Sequence, residues 1–324
     1  MYNHALTNGV LGIQKPNEPG VMIYLLPLGN GVTKGNSSRG WGTPLNSFWC
    51  CYGTAVESFS KLADSIYFKQ RPNATSTATT TTTTNQEVTA DAQQVAAAPS
   101  VSSLIVARFA DSVVQPTADS IGLTQAVDLT AVSMTSTMTV NISATTTTAA
   151  AKQASVKILI PSWTEDGYAG IRLLPPTVNG KPPSSGSEPG KPPTLGQFAT
   201  VLPPRASGWV GGDTIKMELP CPLKLRKLDD NRTEYGSMYS LVSGDVLLVG
   251  LESMLGAPNR LVVPSTAALR NVTSWVAVSE ASTARTPLRF AADAAGGNKL
   301  ELMPLNEVVD ERYTVYFNIS VATA

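Results

Sequence analysis

The sequence predicts a mainly β protein, in which a β-sandwich region follows a shorter helical segment. Short runs rich in β-branched residues recur between turns from about residue 101 onward, while helical periodicity is confined to the first 71 residues. The composition agrees. There are 25 glycines and 23 prolines, and 15% of residues are charged, against a usual share of ~25%. At 42% hydrophobic, the 324-residue chain carries enough apolar material for a sizeable core.

Taken in order, Leu6, Val10 and Ile13 share one helical face, which Gly12 and Pro16 close. Val21–Leu26 reads as a buried extended run, and a glycine-rich loop spans Gly29–Gly42. Beyond an adjacent cysteine pair, Ala55, Val56, Phe59, Leu62, Ala63 and Ile66 form an apolar helical stripe, with Glu57 and Lys61 one turn apart on the wet face. Residues 72–100 are a Thr/Ala-rich insert with an unbroken run from Thr79 to Thr84. Such a tract buries too little apolar surface to offset its ordering entropy, so disorder is expected there. Loop inserts are expected near 145–152 and 175–204, the second rich in Pro, Gly and Ser.

Between these tracts the runs at 104–109, 138–142, 156–161, 246–249 and 313–317 read as strands. Thr214–Leu219 alternates, which turns Ile215, Met217 and Leu219 inward. The expected organisation is therefore a helical piece over 1–71, the insert over 72–100, and one or two β-sandwich domains over 101–324.

Charge excludes some partners. Lys plus Arg and Asp plus Glu both number 24, so no basic face exists to neutralise phosphates, and nucleic acid is not expected as a partner. No apolar run approaches the ~18 residues of a membrane span. The first residues show no basic stretch leading into an apolar one. Asn-x-Ser/Thr sequons at Asn36, Asn73, Asn141, Asn231, Asn271 and Asn318 favour a secreted, secretory-pathway or cell-wall location. The oligomeric state is left open.

The sharpest chemical feature is Phe48-Trp49-Cys50-Cys51-Tyr52-Gly53-Thr54, placed ahead of the amphipathic helix. Backbone N–H groups and the helix dipole favour thiolates there, and a soft cation such as zinc lowers a thiol pKa further. Two thiolates are half of a tetrahedral site. The same dipeptide also fits a pair of packed thiols, and the residues alone leave both readings open. His4 reads as a surface or packing residue, and Cys221, after Pro220, as a buried thiol. Asp229, Asp230, Arg232 and Glu234 read as an ion-paired turn, with a sugar contact as the alternative. Trp163, Trp209 and Trp275 are assigned to packing, whereas Trp41 and Trp49, near Cys50 in sequence, are candidates to stack on a sugar ring.

Several segments together resemble glycoside hydrolase family 127, in its plant and green-algal branch. They are Ala5–Gln14, Glu18–Tyr24, Ser47–Thr54 and Glu57–Leu62, followed in order by Ile160–Trp163, Val178–Gly180, Gly212-Asp213, Asp229–Tyr235 and Glu311–Tyr316. The resemblance implies an (α/α)6 barrel followed by β-sandwich domains, with release of terminal β-L-arabinofuranose from glycans or hydroxyproline-linked arabinosides. It implies zinc held by one glutamate and three cysteines, which makes Cys50 nucleophile and ligand and Cys51 a ligand. The expected chemistry is retaining hydrolysis through a thioglycosyl intermediate, in place of the usual carboxylate pair. The family's Glu-x-Cys ligands and its general acid have no counterpart here, and neither Glu57 nor Asp64 is assigned as the acid. The chain is therefore expected to be a fragment ending an incomplete barrel, and inactive alone. The rival reading is a non-catalytic carbohydrate-binding or structural β-module; a cysteine-based metal-binding module without a sugar role is the third.

Overall fold

In a computed structural model, residues 2–70, 102–117, 120–132, 135–145, 153–182, 192–252, 260–293 and 299–322 are described. The expected disordered insert at 72–100 and nearly all of the 145–152 tract lie outside them.

The chain opens with α1 (Tyr2–Ala5), continued as a π-helical turn over Leu6–Val10, and α2 (Cys50–Ser60) follows. The strands, in chain order, are β1 (Tyr67–Gln70), β2 (Ser103–Val106), β3 (Ser112–Val114), β4 (Gly122–Val132), β5 (Thr135–Thr145), β6 (Ser155–Leu159), β7 (Thr177–Val178), β8 (Phe198–Val201) and β9 (Thr214–Cys221). They continue as β10 (Leu223–Lys227), β11 (Met238–Ser243), β12 (Val246–Leu251), β13 (Arg260–Val263), β14 (Val276–Val278), β15 (Phe290–Asp293), β16 (Lys299–Pro304), β17 (Tyr313–Thr314) and β18 (Phe317–Val321). Beyond residue 101 the only helices among the described residues are single 3₁₀ turns, so the expected mainly β fold is the observed one.

Two sheets make the first sandwich. Strands β1-β2-β6-β8 form one, and β3-β4-β5-β9-β7 the other. Their inner faces share one core, to which Val106 and Ile158 come from the first sheet, and Val140, Ile215, Met217 and Leu219 from the second. The alternation read for 214–219 is the observed burial pattern along β9, which then stays buried to Cys221. Trp209 lies fully inside and donates its indole N–H to the Ala154 carbonyl (2.8 Å), the usual requirement for burying that side chain.

The remaining strands form one larger sheet, ordered β13-β18-β11-β12-β16-β15-β14, with β10 paired to β11 and β17 to β12. Both of its faces are covered. Leu248 belongs to a core with Phe290, Leu302, Phe317 and Trp275, while the next residue, Val249, joins Met303, Leu305, Tyr313 and Val315 on the other face. Leu26 and Val32 of the N-terminal segment pack against that second core. Side chains that alternate across a strand thus divide one apolar run between two cores.

Several local expectations are corrected. Of Val21–Leu26 only Val21, Met22 and Ile23 are buried; the chain there makes isolated bridges, and Leu25 is exposed. Helix α2 ends at Ser60, and the stripe beyond it is carried by turns, although Ile66 is buried. The strand expected over 104–109 stops at Val106, and the run at 313–317 is split between β17 and β18. The 175–204 tract is not loop throughout: β7 lies within it and pairs with β9, and β8 pairs with β6. The backbone hydrogen bonds of so Pro-rich a stretch are satisfied where it meets a sheet edge.

Candidate active site around Cys50

The site is assembled at the N-terminus of α2. Cys50 and Cys51 occupy its first turn rather than the loop before it, and the N-cap, Trp49, offers no side-chain acceptor to the first-turn N–H groups. Those N–H groups and the helix dipole lie at the Cys50 end of the helix, a setting that favours its thiolate. Below, Tyr52, Ala55 and Met22 form a small core against which Ile13, Trp49 and Phe59 pack. Tyr52 donates its hydroxyl to the Met22 carbonyl. Gly42 is required there, since a Cβ would run into the Tyr52 hydroxyl and close on Ser47 Oγ.

Tyr24 is the partner that the sequence reading missed. Its Oη lies 3.0 Å from Cys50 Sγ. The hydrogen bond from Tyr24, and then one involving Cys51, lowers the Cys50 thiol below its ordinary pKa; the tyrosine is correspondingly raised. Cys50 and Cys51 sulfurs are 4.0 Å apart and both are exposed. Around them Tyr24 and Trp49 meet edge-to-face (5.9 Å between centroids), and Trp49 meets Tyr52 at 5.0 Å. The Arg39 guanidinium caps this group, 5.6 Å from the Tyr24 ring and 5.4 Å from that of Trp49. Neither Tyr24 nor Arg39 carries a motif of its own. The one hint was their place in segments flanking the Cys-Cys pair.

Of the expected site residues, Cys50, Cys51 and Trp49 come together. Trp41 does not join that ring cluster. Its indole N–H donates to Asp310 Oδ1 (2.8 Å), and Lys15 Nζ lies 5.5 Å from its centroid. Trp41 instead fixes the loop that carries Arg39, through a backbone bridge to Ile23, the residue before Tyr24.

The remaining residues fall as follows. Glu57 pairs with Lys61 on the exposed side of α2, and Asp64 is exposed. His4 is turned to the β region, where Nδ1 lies 3.0 Å from the Asp245 carbonyl oxygen. Cys221 is buried, and Asp230 and Arg232 form the expected ion-paired turn (2.7 Å). Trp275 is buried and Trp163 packs against the first core.

Two tetrahedral thiolates at ~2.3 Å from a zinc ion stand ~3.8 Å apart, close to the separation seen. The pair therefore fits as two of four ligands. Among the described residues no group of three or more His, Cys, Asp or Glu side chains converges, so the other two donors are not supplied by them.

Residues 1–64 match the family model "Beta-L-arabinofuranosidase, GH127 catalytic domain". No curated protein matches the chain. Among solved structures, one described as a glycoside hydrolase superposes with a TM-score of 0.54 at 13% identity, over 97% of this chain and 47% of its own. A GH127 beta-arabinofuranosidase gives 0.51 at 11% identity, over 97% and 44%. A GH127 beta-L-arabinofuranosidase from Geobacillus stearothermophilus T6 gives 0.40 at 13% identity, over 67% and 34%. The fold is thus one shared with glycoside hydrolase structures, of which this chain spans less than half the length. The GH127 catalytic-domain match falls on the segment that holds Cys50, Cys51 and Tyr24.

Proposed function

We propose that the chain is part of a retaining glycoside hydrolase of the β-L-arabinofuranosidase kind, with Cys50 as nucleophile. The observation that carries this reading is the Tyr24–Cys50 hydrogen bond at the start of α2, inside the segment matched by the catalytic-domain family.

In this reading the Cys50 thiolate attacks the anomeric carbon. The S–C bond forms as the glycosidic C–O bond breaks, and the leaving oxygen takes a proton from an acid outside the described residues. Water then attacks the anomeric carbon opposite the sulfur, on the face the leaving group left, and its proton returns to that same outside group. The C–S bond breaks to release the Cys50 thiolate, and the two inversions retain configuration. Tyr24 holds the thiolate and aims it, and Trp49, with Arg39 above it, offers a face and a cation to the sugar. Cys50 and Cys51 would hold zinc together with two further donors; when bound, zinc keeps the thiols ionised at neutral pH. The substrate is a glycan or glycoprotein bearing terminal L-arabinofuranose, and a secretory or cell-wall location suits such a substrate. The helical piece over 1–71 is the end of a barrel, braced by the β-sandwich region over 101–324.

The rival reading, a non-catalytic carbohydrate-binding or structural module, is favoured by the absence of a third converging ligand among the described residues. Zinc stoichiometry separates the two. The enzyme reading expects one tightly held zinc per protein when the chain is joined to a portion that supplies the missing donors. Sugar binding with no zinc in that joined protein would overturn it in favour of the module.

A further inference from the structure

The Asn-x-Ser/Thr sequons at Asn36, Asn141, Asn231, Asn271 and Asn318 fall on described residues, and the fold sorts them. Asn141 lies in β5, between Ala126 of β4 and Lys216 of β9. Asn318 lies in β18, between Met238 of β11 and Arg260 of β13. Both are half-buried, with a paired strand on either side. Asn271 sits instead on the connection between β13 and β14, exposed, at the entry to the 3₁₀ turn Val272–Ser274. We infer that Asn271 is an acceptor of N-linked glycan and that the sheets exclude Asn141 and Asn318. The inference rests on the secretory location of the proposed function.

The turn is pinned from its inner side. Val272 and Trp275 are buried in the core that holds Leu248, Phe290, Leu302 and Phe317. The Trp275 indole N–H donates to the Ala268 carbonyl (3.0 Å). The Asn271 N–H donates to the Ala267 carbonyl (3.1 Å), and its own carbonyl accepts from the Ser274 hydroxyl (2.7 Å). With both neighbours held inward and its backbone satisfied, Asn271 is left on the outer surface of the loop.

The amide itself is presented for modification. Thr273, the third residue of the sequon, donates its hydroxyl to Asn271 Oδ1 (2.8 Å). That contact holds the carbonyl end, while among the described residues no partner takes up Nδ2, the atom that a glycan would join. Asn36 and Asn231 are exposed as well, but neither amide is held by the third residue of its own sequon. In the transfer, Nδ2 attacks the anomeric carbon of an oligosaccharide carried on a polyprenyl diphosphate. The C–N bond forms as the C–O bond to the diphosphate breaks, the diphosphate leaves with the bonding pair, and the amide proton passes to a base of the transferase. The product is a bulky, hydrophilic surface group, here on the loop that packs over the core of the large sheet.

The test places the full 324-residue chain behind a secretion leader in a eukaryotic host and recovers the soluble product. Peptide-N-glycosidase in heavy-oxygen water converts each glycosylated asparagine to a marked aspartate, which peptide mass spectrometry reads. The mark is expected at Asn271 and absent from Asn141 and Asn318. Asn271→Gln and Thr273→Val should each remove one glycan from the gel ladder, whereas Thr273→Ser should keep it. If a variant fails to fold and is retained in the cell, the mark on the unsubstituted chain decides alone. An unmarked Asn271 would overturn the inference, and so would marking of Asn141 or Asn318 as complete as that of Asn271. Because the leader is supplied, the location is judged separately. Protein from its natural source with no glycan at any sequon would overturn the secretory location, while the mark on the leader-driven chain would still support Asn271 as the acceptor.

Discussion

Trp41 and Asp310, far apart in sequence, are joined by an indole N–H to carboxylate hydrogen bond of 2.8 Å. This contact ties the large C-terminal sheet to the loop that carries Arg39. Lys34 adds a second tie from the same loop, through its ammonium and the Val308 carbonyl (2.7 Å). Arg312 adds a third, donating to Glu252 Oε2 (3.0 Å) and to the Gly31 carbonyl (2.7 Å). The β region thereby sets the position of the loop that closes over Tyr24 and Trp49.

Replacing Asp310 by Ala should free the Trp41 loop. A hydrogen bond to a charged acceptor is worth ~1.5–3 kcal/mol, less at so exposed a place. A loss of about 1 kcal/mol in urea unfolding is expected, with a change in tryptophan emission. An unchanged emission spectrum would show that Trp41 is held without Asp310.

Lys34 is fully buried, and burial lowers its pKa to about 8. In the unfolded chain it titrates at its ordinary value near 10.5. Between those values the unfolded state holds the proton and the folded state does not, so stability rises with pH across that window. Below about 8 the cost of burying the charge is present in full. Lys34→Met should remove this rise, seen as a flatter difference in denaturation midpoint between pH 8 and 10. A variant with the wild-type slope would contradict the buried-cation account.

Asp213 is 3% exposed and accepts two hydrogen bonds from Arg205 (2.7 and 2.8 Å), one from Asn179 (2.8 Å) and one from the Val210 N–H (2.8 Å). The Arg205 contact in particular holds its carboxyl at about 2. Its folded pKa is depressed, so its stabilisation is present above about 4 and is lost as pH falls through about 2. Asp213→Asn should cost roughly 2–4 kcal/mol at neutral pH, and the gap from wild type should close on acidification. A constant gap down to pH 2 would place the loss elsewhere.

Tyr24→Phe removes the donor to Cys50. The Cys50 thiol should then move back up toward its ordinary range. Its alkylation by iodoacetamide at neutral pH should slow several-fold, because the thiolate is the reactive form. Cys221, buried and distant in sequence, serves as the internal control. If Cys50 reacts at an unchanged rate, the tyrosine does not tune it.

Much of the β region was legible because burial follows a period of two. Ile215, Met217 and Leu219 announce β9 from the sequence alone, and the apolar run Val246–Val249 marks β12, which extends to Leu251. The β7 and β8 pairings were not legible, since Thr177–Val178 and Phe198–Val201 are short and sit among prolines and glycines that signal loop. At the site, Cys50, Cys51 and Trp49 could be named because they are contiguous. The Tyr24–Cys50 and Trp41–Asp310 contacts join residues 26 and 269 apart, Arg39 meets Tyr24 and Trp49 across a loop, and no local periodicity encodes those. Trp41 could be placed near Cys50 from the sequence, but its indole N–H partner could not.

The central claim is that Cys50 attacks carbon while Cys51 serves only to hold zinc. It is tested most directly in protein that supplies the missing donors, by comparing Cys50→Ser with Cys51→Ser as zinc is raised. A serine hydroxyl is a far poorer nucleophile than a tuned thiolate, so Cys50→Ser should stay inactive when zinc occupancy is restored. Cys51→Ser should regain part of its activity, since its defect is one of affinity. A thiol-reactive arabinofuranose analogue should label Cys50 in the unsubstituted protein. Label on Cys51, or equal recovery of the two serine variants with zinc, would contradict the assignment.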